Sequence, residues 1–130
     1  MATLQTKSNA EKPNIAVVDD EPAVCNSLKF SLELEGFSVR TYGNGSELLN
    51  SADLGGIDCL VIDQRMPGMN GLELIEKLRQ AGVSTPAVLI TGQSSGALRA
   101  AAANAHVPVV EKPLFGNTLL DKICEACRSS

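Results

Sequence analysis

Four short, largely apolar runs constrain this chain more than any other feature: residues 15–18, 57–62, 87–90 and 107–110. Continuous runs of this length suit parallel strands buried on both faces, and none approaches the roughly 20 residues that a membrane-spanning helix needs. Between them lie stretches with helical spacing. Residues 21–35 carry Val24, Leu28 and Leu32 before Gly36. Residues 71–81 carry Leu74, Ile75 and Leu78 behind a candidate cap, Asn70, and stop at Gly82. Residues 94–104 are alanine-rich, and 117–127 carry Leu119, Leu120, Ile123 and Cys127. A fifth strand, 38–42, alternates polar and apolar residues and precedes a short helix over 46–51. Five strand–helix units in succession predict a doubly wound α/β sheet. The alternating second strand and the Pro108-bearing fifth strand belong at the edges, so the predicted order is 2-1-3-4-5. Ligands then bind at the C-terminal strand ends, beside the switch point between strands 1 and 3.

With 130 residues and 44% apolar content, the chain suits one domain with one core. Residues 1–13 are polar and aperiodic and are expected to form a mobile tail, leaving 14–128 as the folded unit. The start of the chain lacks the apolar stretch of a signal peptide, which suggests a cytoplasmic protein without membrane attachment. The formal net charge is −4 and the Lys and Arg residues are scattered, which argues against direct nucleic-acid binding by this segment. Cys25 and Cys59 fall in apolar patterns and read as small hydrophobes. Cys124 and Cys127 form a CxxC near a helix end, without the helix N-terminus of a redox pair or the further ligands of a zinc site, and read as ordinary thiols. His106, the sole histidine, reads as a turn residue with no catalytic setting.

The polar residues at the predicted strand ends carry the chemistry. Strand 1 ends in Asp19-Asp20, strand 3 in Asp63, strand 4 in Thr91 and strand 5 in Lys112. Gathered carboxylates repel one another unless a cation joins them, and their oxygens suit a hard ion such as Mg²⁺. Carboxylates, a divalent metal, an ammonium and a hydroxyl together suit the handling of a phosphoryl group. Asp63, alone on the central strand, is the candidate nucleophile.

VVDDE at 17–21, VIDQRMPGMNGLEL at 61–74, LITG at 89–92 and EKP at 111–113 occur in this order, and the chain resembles the receiver domains of bacterial response regulators over residues 14 to about 128. The resemblance implies that Asp63 accepts a phosphoryl group from a sensor histidine kinase or phosphotransfer protein. It implies Mg²⁺ (or Mn²⁺) held by Asp20, Asp63 and the backbone carbonyl of Arg65, with Asp19 acting through a water. It further implies that Lys112 pairs with the phosphoryl oxygens, that Thr91 moves to hydrogen-bond one of them, and that the Lys112–Pro113 bond is cis. The output is expected through the face made by helix 4, strand 5 and helix 5, toward an output domain or a partner protein. The MPGMNG and LITG wording is similar to that of receivers preceding helix-turn-helix output domains.

The chain also departs from the family pattern. Val109 stands where receivers usually carry an aromatic on strand 5, the segment from Thr91 to Lys112 is slightly short, and the alanine-rich fourth helix is expected to form readily and dock weakly. Three other functions compete with this reading. A phosphatase with an aspartyl nucleophile usually places a second aspartate where Arg65 stands, so turnover of foreign phosphoesters is not expected. A nucleotide-binding domain would carry a Gly-rich loop after strand 1, which is missing. A receiver-fold interaction scaffold working without phosphorylation remains the alternative.

Overall fold

β-Branched and aliphatic runs supply the inner strands, and an alternating polar–apolar stretch supplies one edge. The computed structural model of the chain describes residues 12–51, 54–114 and 117–129, the side chain of Ser129 excepted. Its elements are β1 (Asn14–Val18), α1 (Pro22–Leu34), β2 (Ser38–Tyr42), α2 (Gly45–Leu49), a 3₁₀ turn (Leu54–Gly56), β3 (Cys59–Asp63), α3 (Gly71–Gln80), β4 (Ala87–Thr91), α4 (Gly96–Asn104), β5 (Val109–Glu111) and α5 (Thr118–Ser129). The strands pair in parallel in the order β2-β1-β3-β4-β5, as the run pattern predicts. The expected tail falls mostly on residues 1–11, which lie outside the described residues.

β3 and β4 are buried along their whole length, whereas β2 buries Val39 alone and β5 buries Val110 alone, as edge strands would. Successive side chains alternate between faces. Ile15, Val17, Val61, Val88 and Ile90 meet α1 and α5 on one face. Ala16, Val18, Leu60, Ile62 and Leu89 meet α2, α3 and α4 on the other.

Two strands start later than expected. Ile57 closes the 3₁₀ turn, its N–H donating to Leu54 O, so β3 begins at Cys59. Val107 donates to Ala102 O in the cap that ends α4, and Pro108 has no N–H to give, so β5 begins at Val109. Pro108 still contributes its carbonyl, which accepts from Leu89 N at 2.9 Å.

Three helices end alike. Phe37, Val83 and Val107 donate back to Leu32, Leu78 and Ala102, while Gly36, Gly82 and His106 donate to Glu33, Arg79 and Ala103. This is the Schellman pattern, which needs a left-handed residue just past the helix. Gly36 (φ 100) and Gly82 (φ 86) supply it at α1 and α3, and His106 (φ 58) supplies it at α4. Cys124 and Cys127 lie within α5 with no disulfide between them, packed against the core. Burial pushes the thiol of Cys59 up to about 12, so it behaves as a hydrophobe.

Candidate functional site

The parallel order brings the C-terminal ends of β1, β3, β4 and β5 to one rim, and the polar residues singled out in the sequence meet there. Asp19 (2% exposed), Asp63 (5%) and Thr91 (4%) are the buried polar side chains of the described residues. Asp20 is exposed, and oxygens of Asp19, Asp20 and Asp63 lie within 4.8 Å of one another. Lys112 reaches in from the end of β5, its Nζ 3.1 Å from Asp63 Oδ1 and 3.8 Å from Asp19 Oδ2. Asp20, Asp63, Arg65, Gln93 and Lys112 line a cleft of about 610 Å³ together with Met66. Arg65 is exposed at its edge, and the Lys112–Pro113 bond is cis.

Neither Asp19 nor Asp20 is the N-cap of α1; that position is Glu21, which makes no side-chain cap. Asp19 Oδ1 instead accepts from Glu21 N at 2.9 Å, which orients its carboxylate, and the Cys25 thiol donates to Asp19 O. The β3–α3 junction is held by a residue the sequence reading missed. Gln64 O accepts from Gly71 N and its Oε1 accepts from Leu72 N at 3.0 Å. Asn70 and Glu73 complete a capping box, so the orphan N–H groups at the start of α3 are satisfied. A Cβ on Gly71 would stand 2.7 Å from Asp63 O and 2.6 Å from Leu89 Cδ1. Only glycine lets α3 approach the backbone of Asp63 this closely.

Thr91 is placed differently. Its hydroxyl donates to Gln93 O at 2.7 Å and accepts from Gln93 N at 3.2 Å, so its one proton is committed to closing its own turn.

The electrostatics are those of a crowded acidic site. Burial, and then the charge of Asp19, hold the carboxyl of Asp63 above the usual carboxylate range despite the Lys112 ammonium. Burial likewise raises Asp19. For Lys112, burial opposes the charge, yet the hydrogen bond and charge of Asp63 leave its affinity for the proton above normal. Three carboxylates face one ammonium, an imbalance that a hard divalent cation would relieve, and an all-oxygen donor set with room for water suits Mg²⁺.

A doubly wound sheet with an acidic, lysine-bearing switch-point cleft defines a phosphoryl-handling module of the receiver class. The chain belongs to the response regulator receiver domain family, whose pattern matches residues 15–124. It is 34% identical over 110 residues to the C4-dicarboxylate transport transcriptional regulatory protein DctR of Rhodobacter capsulatus, covering 82% of this chain and 56% of that protein. It is 31% identical over 120 residues to the transcriptional regulatory protein FixJ of Bradyrhizobium diazoefficiens, covering 92% of this chain and 58% of FixJ. The chain thus spans a little over half the length of these relatives. The crystal structure of FixJ-N superposes with a TM-score of 0.81 at 29% identity, covering 92% of this chain and 97% of that one.

The chain is therefore a phosphoacceptor receiver domain of two-component signalling. Receiver domains of this family are generally not classical enzymes, typically bind Mg²⁺ at an acidic pocket, and work with histidine kinases and output domains. No described helix is long and apolar enough to cross a membrane.

Proposed function

We propose that Asp63 is the acceptor. An Oδ of its carboxylate attacks the phosphorus of a phosphohistidine on a sensor kinase or phosphotransfer protein. The P–O bond forms as the P–N bond breaks, and the departing imidazole takes a proton from solvent. The observation that carries this reading is the buried Asp63–Lys112 pair at 3.1 Å, inside a carboxylate cluster at the switch point.

Lys112 orients the carboxylate in the resting site and is within reach of a phosphoryl oxygen carried on Asp63. Asp20, Asp63 and the Arg65 carbonyl would hold Mg²⁺ (or Mn²⁺), with Asp19 acting through a water, and such an ion would supply charge compensation for the phosphoryl oxygens. Thr91 then turns its hydroxyl to a phosphoryl oxygen and carries the event toward α4. Residues 14–128 form the receiver unit. It works in the cytoplasm and signals through the α4–β5–α5 face to an output domain or a partner protein, with no turnover of foreign substrates and no direct contact with nucleic acid.

The test is intact mass after incubation with Mg²⁺ and acetyl phosphate. One metal-dependent, alkali-labile phosphoryl adduct is expected on the wild type and none on Asp63→Asn. A wild type that binds Mg²⁺ yet gains no adduct from acetyl phosphate or from a phosphorylated kinase would favour the interaction-scaffold alternative.

A further inference from the structure

On the far side of β5 from the acidic cleft sits a second polar cluster that the acceptor chemistry does not use. Consecutive side chains at a strand end point to opposite faces. Lys112 points at Asp63, and Glu111 points to α4. There Glu111 Oε2 accepts from the Ser94 hydroxyl and pairs with Arg99 Nη2 at 2.9 Å, while Arg99 Nε donates to Ser94 Oγ at 3.0 Å. The serine lies in the turn after β4, the arginine on α4 and the glutamate on β5, so the cluster ties three segments together.

Ser94 directly follows Gln93, the residue whose carbonyl holds the Thr91 hydroxyl. A hydroxyl has one proton to donate, and phosphoryl oxygens are acceptors. The Thr91–Gln93 bond and a Thr91–phosphoryl bond therefore exclude each other. For Thr91 to turn toward Asp63, its hydroxyl must leave Gln93 O, which removes one tie on the β4–α4 turn, while Ser94 anchors the next residue to β5.

We propose that Ser94, Arg99 and Glu111 form a positioning latch that holds the β4–α4 turn in its phosphoryl-free arrangement and opens when a phosphoryl group is taken up. The proposal rests on the reading of Asp63 as acceptor. Arg99 and Glu111 also line a cleft of about 280 Å³ with Val109, Pro113, Leu114 and Leu119. Opening the latch therefore reshapes a pocket on the α4–β5–α5 face and carries the change at Thr91 to the surface offered to a partner.

Both charged partners are about half exposed, at 56% and 48%. A solvent-exposed pair supports its arrangement only weakly, so the expected changes in affinity are small. Beryllofluoride with Mg²⁺ serves as the phosphoryl probe, titrated against the wild type, Arg99→Ala, Glu111→Gln and the double variant, with the amide shifts of Gln93 and Ser94 as readout. Each single variant is expected to bind about 2- to 5-fold more tightly, because the competing arrangement has lost its support. The double variant should bind no more tightly than the tighter single, since both remove one shared interaction.

Simple charge effects predict something else. Removing an arginine would weaken binding of an anion, and removing a glutamate would tighten it. Opposite signs in the two single variants, or unchanged affinity in both, overturn the latch. A wild type that binds the probe no better than Asp63→Asn removes the acceptor reading and the latch with it. A wild type that binds normally, beside variants that do not tighten, removes the latch alone.

Discussion

Two strand–loop–helix junctions meet at the site, and they are built to opposite specifications. At the β3–α3 junction, Gln64 satisfies two N–H groups of α3, a capping box satisfies the rest, and Gly71 is pressed against the backbone of Asp63. The helix behind it buries Gly71, Leu74, Ile75 and Leu78. At the β4–α4 junction, Ser95 caps the helix alone, Gly96 has open space around its Cα, and Ala102 is the one buried residue of α4. The polar ties of that junction are exposed. Asp63, the proposed acceptor, is thus mounted on a segment that resists displacement, and Thr91, whose hydroxyl moves on that reading, leads into one that yields. Local stability distributed this way is what a switch requires, since the mobile element comes from the low-stability end of the fold.

The largest contrast should appear in the cores of the two helices. Leu78 is fully buried beneath α3, and Leu78→Ala is expected to cost about 2–5 kcal/mol in urea unfolding. Leu98, the large apolar residue of α4, is only half-buried, and Leu98→Ala should cost about 1 kcal/mol. Amide exchange should rank the helices the same way, with α4 exchanging faster. Equal costs and equal protection would mean that the two helices are anchored alike.

Next come the glycines that start the helices. Gly71→Ala must push apart a backbone carbonyl and a packed leucine, at about 1–3 kcal/mol, and it should shift the backbone resonances of Asp63. Gly96→Ala meets nothing within 4 Å and should be neutral or stabilise by up to about 1 kcal/mol through the unfolded chain.

Much of this was legible in the sequence, though unevenly. Uninterrupted apolar runs announced β1, β3 and β4, alternation announced β2, and Pro108 announced an edge. The topology that follows gathers Asp19, Asp20, Asp63, Thr91 and Lys112 without further help, because strand ends are fixed by the runs themselves. What the sequence hides is side-chain hydrogen bonding across loops. Gln64 is one polar residue after an aspartate, and nothing in its type says that it will reach seven and eight residues ahead. Ser94, Arg99 and Glu111 are ordinary surface types until β5 and α4 are laid side by side. A glutamate immediately before Lys112, with an arginine on the outer face of the alanine-rich helix, is the one hint available. β3 and β5 start later than their apolar runs because Ile57 and Val107 are β-formers that a local 3₁₀ turn and a helix-end bond claim.

The two junctions also differ in their electrostatics. The Asp63 junction carries crowded carboxylates, whereas that of Thr91 meets a single one, Glu111, which is paired with Arg99. In the metal-free protein the pKa values of Asp19 and Asp63 lie above their unfolded values. The folded state therefore binds these protons more tightly, and the pair destabilises the fold at neutral pH. As pH falls through the raised folded values, this cost is relieved, until other acidic groups dominate. Lys112 works the other way: its raised pKa contributes stability below the ordinary lysine range, lost as pH rises through the folded value. Charges this close, in a partly solvated cleft, interact on the order of 1 kcal/mol. Asp63→Asn should stabilise the metal-free protein by about that much at pH 7 and flatten the pH dependence on the acid side. Thr91→Val should leave that slope unchanged. A wild-type melting temperature that does not respond to Mg²⁺ would contradict the charge imbalance on which the metal site rests.

The smallest effect lies at the far end of the soft helix. α1 and α3 close with glycine in the left-handed region, and α4 closes with His106 at φ 58. A side chain there costs about 1–2 kcal/mol, against a gain of roughly 0.5–1 kcal/mol from the narrower freedom of a non-glycine residue in the unfolded chain. His106→Gly should therefore stabilise the protein by about 0.5–1 kcal/mol, with the gain concentrated in slower amide exchange of Ala105, His106 and Val107. The substitution touches neither the cleft nor the latch. If it also slowed exchange along the whole of α4 and weakened beryllofluoride binding, the softness of this helix would be set partly at its C-terminal cap, and His106 would be one of the residues that keep the switch free to move.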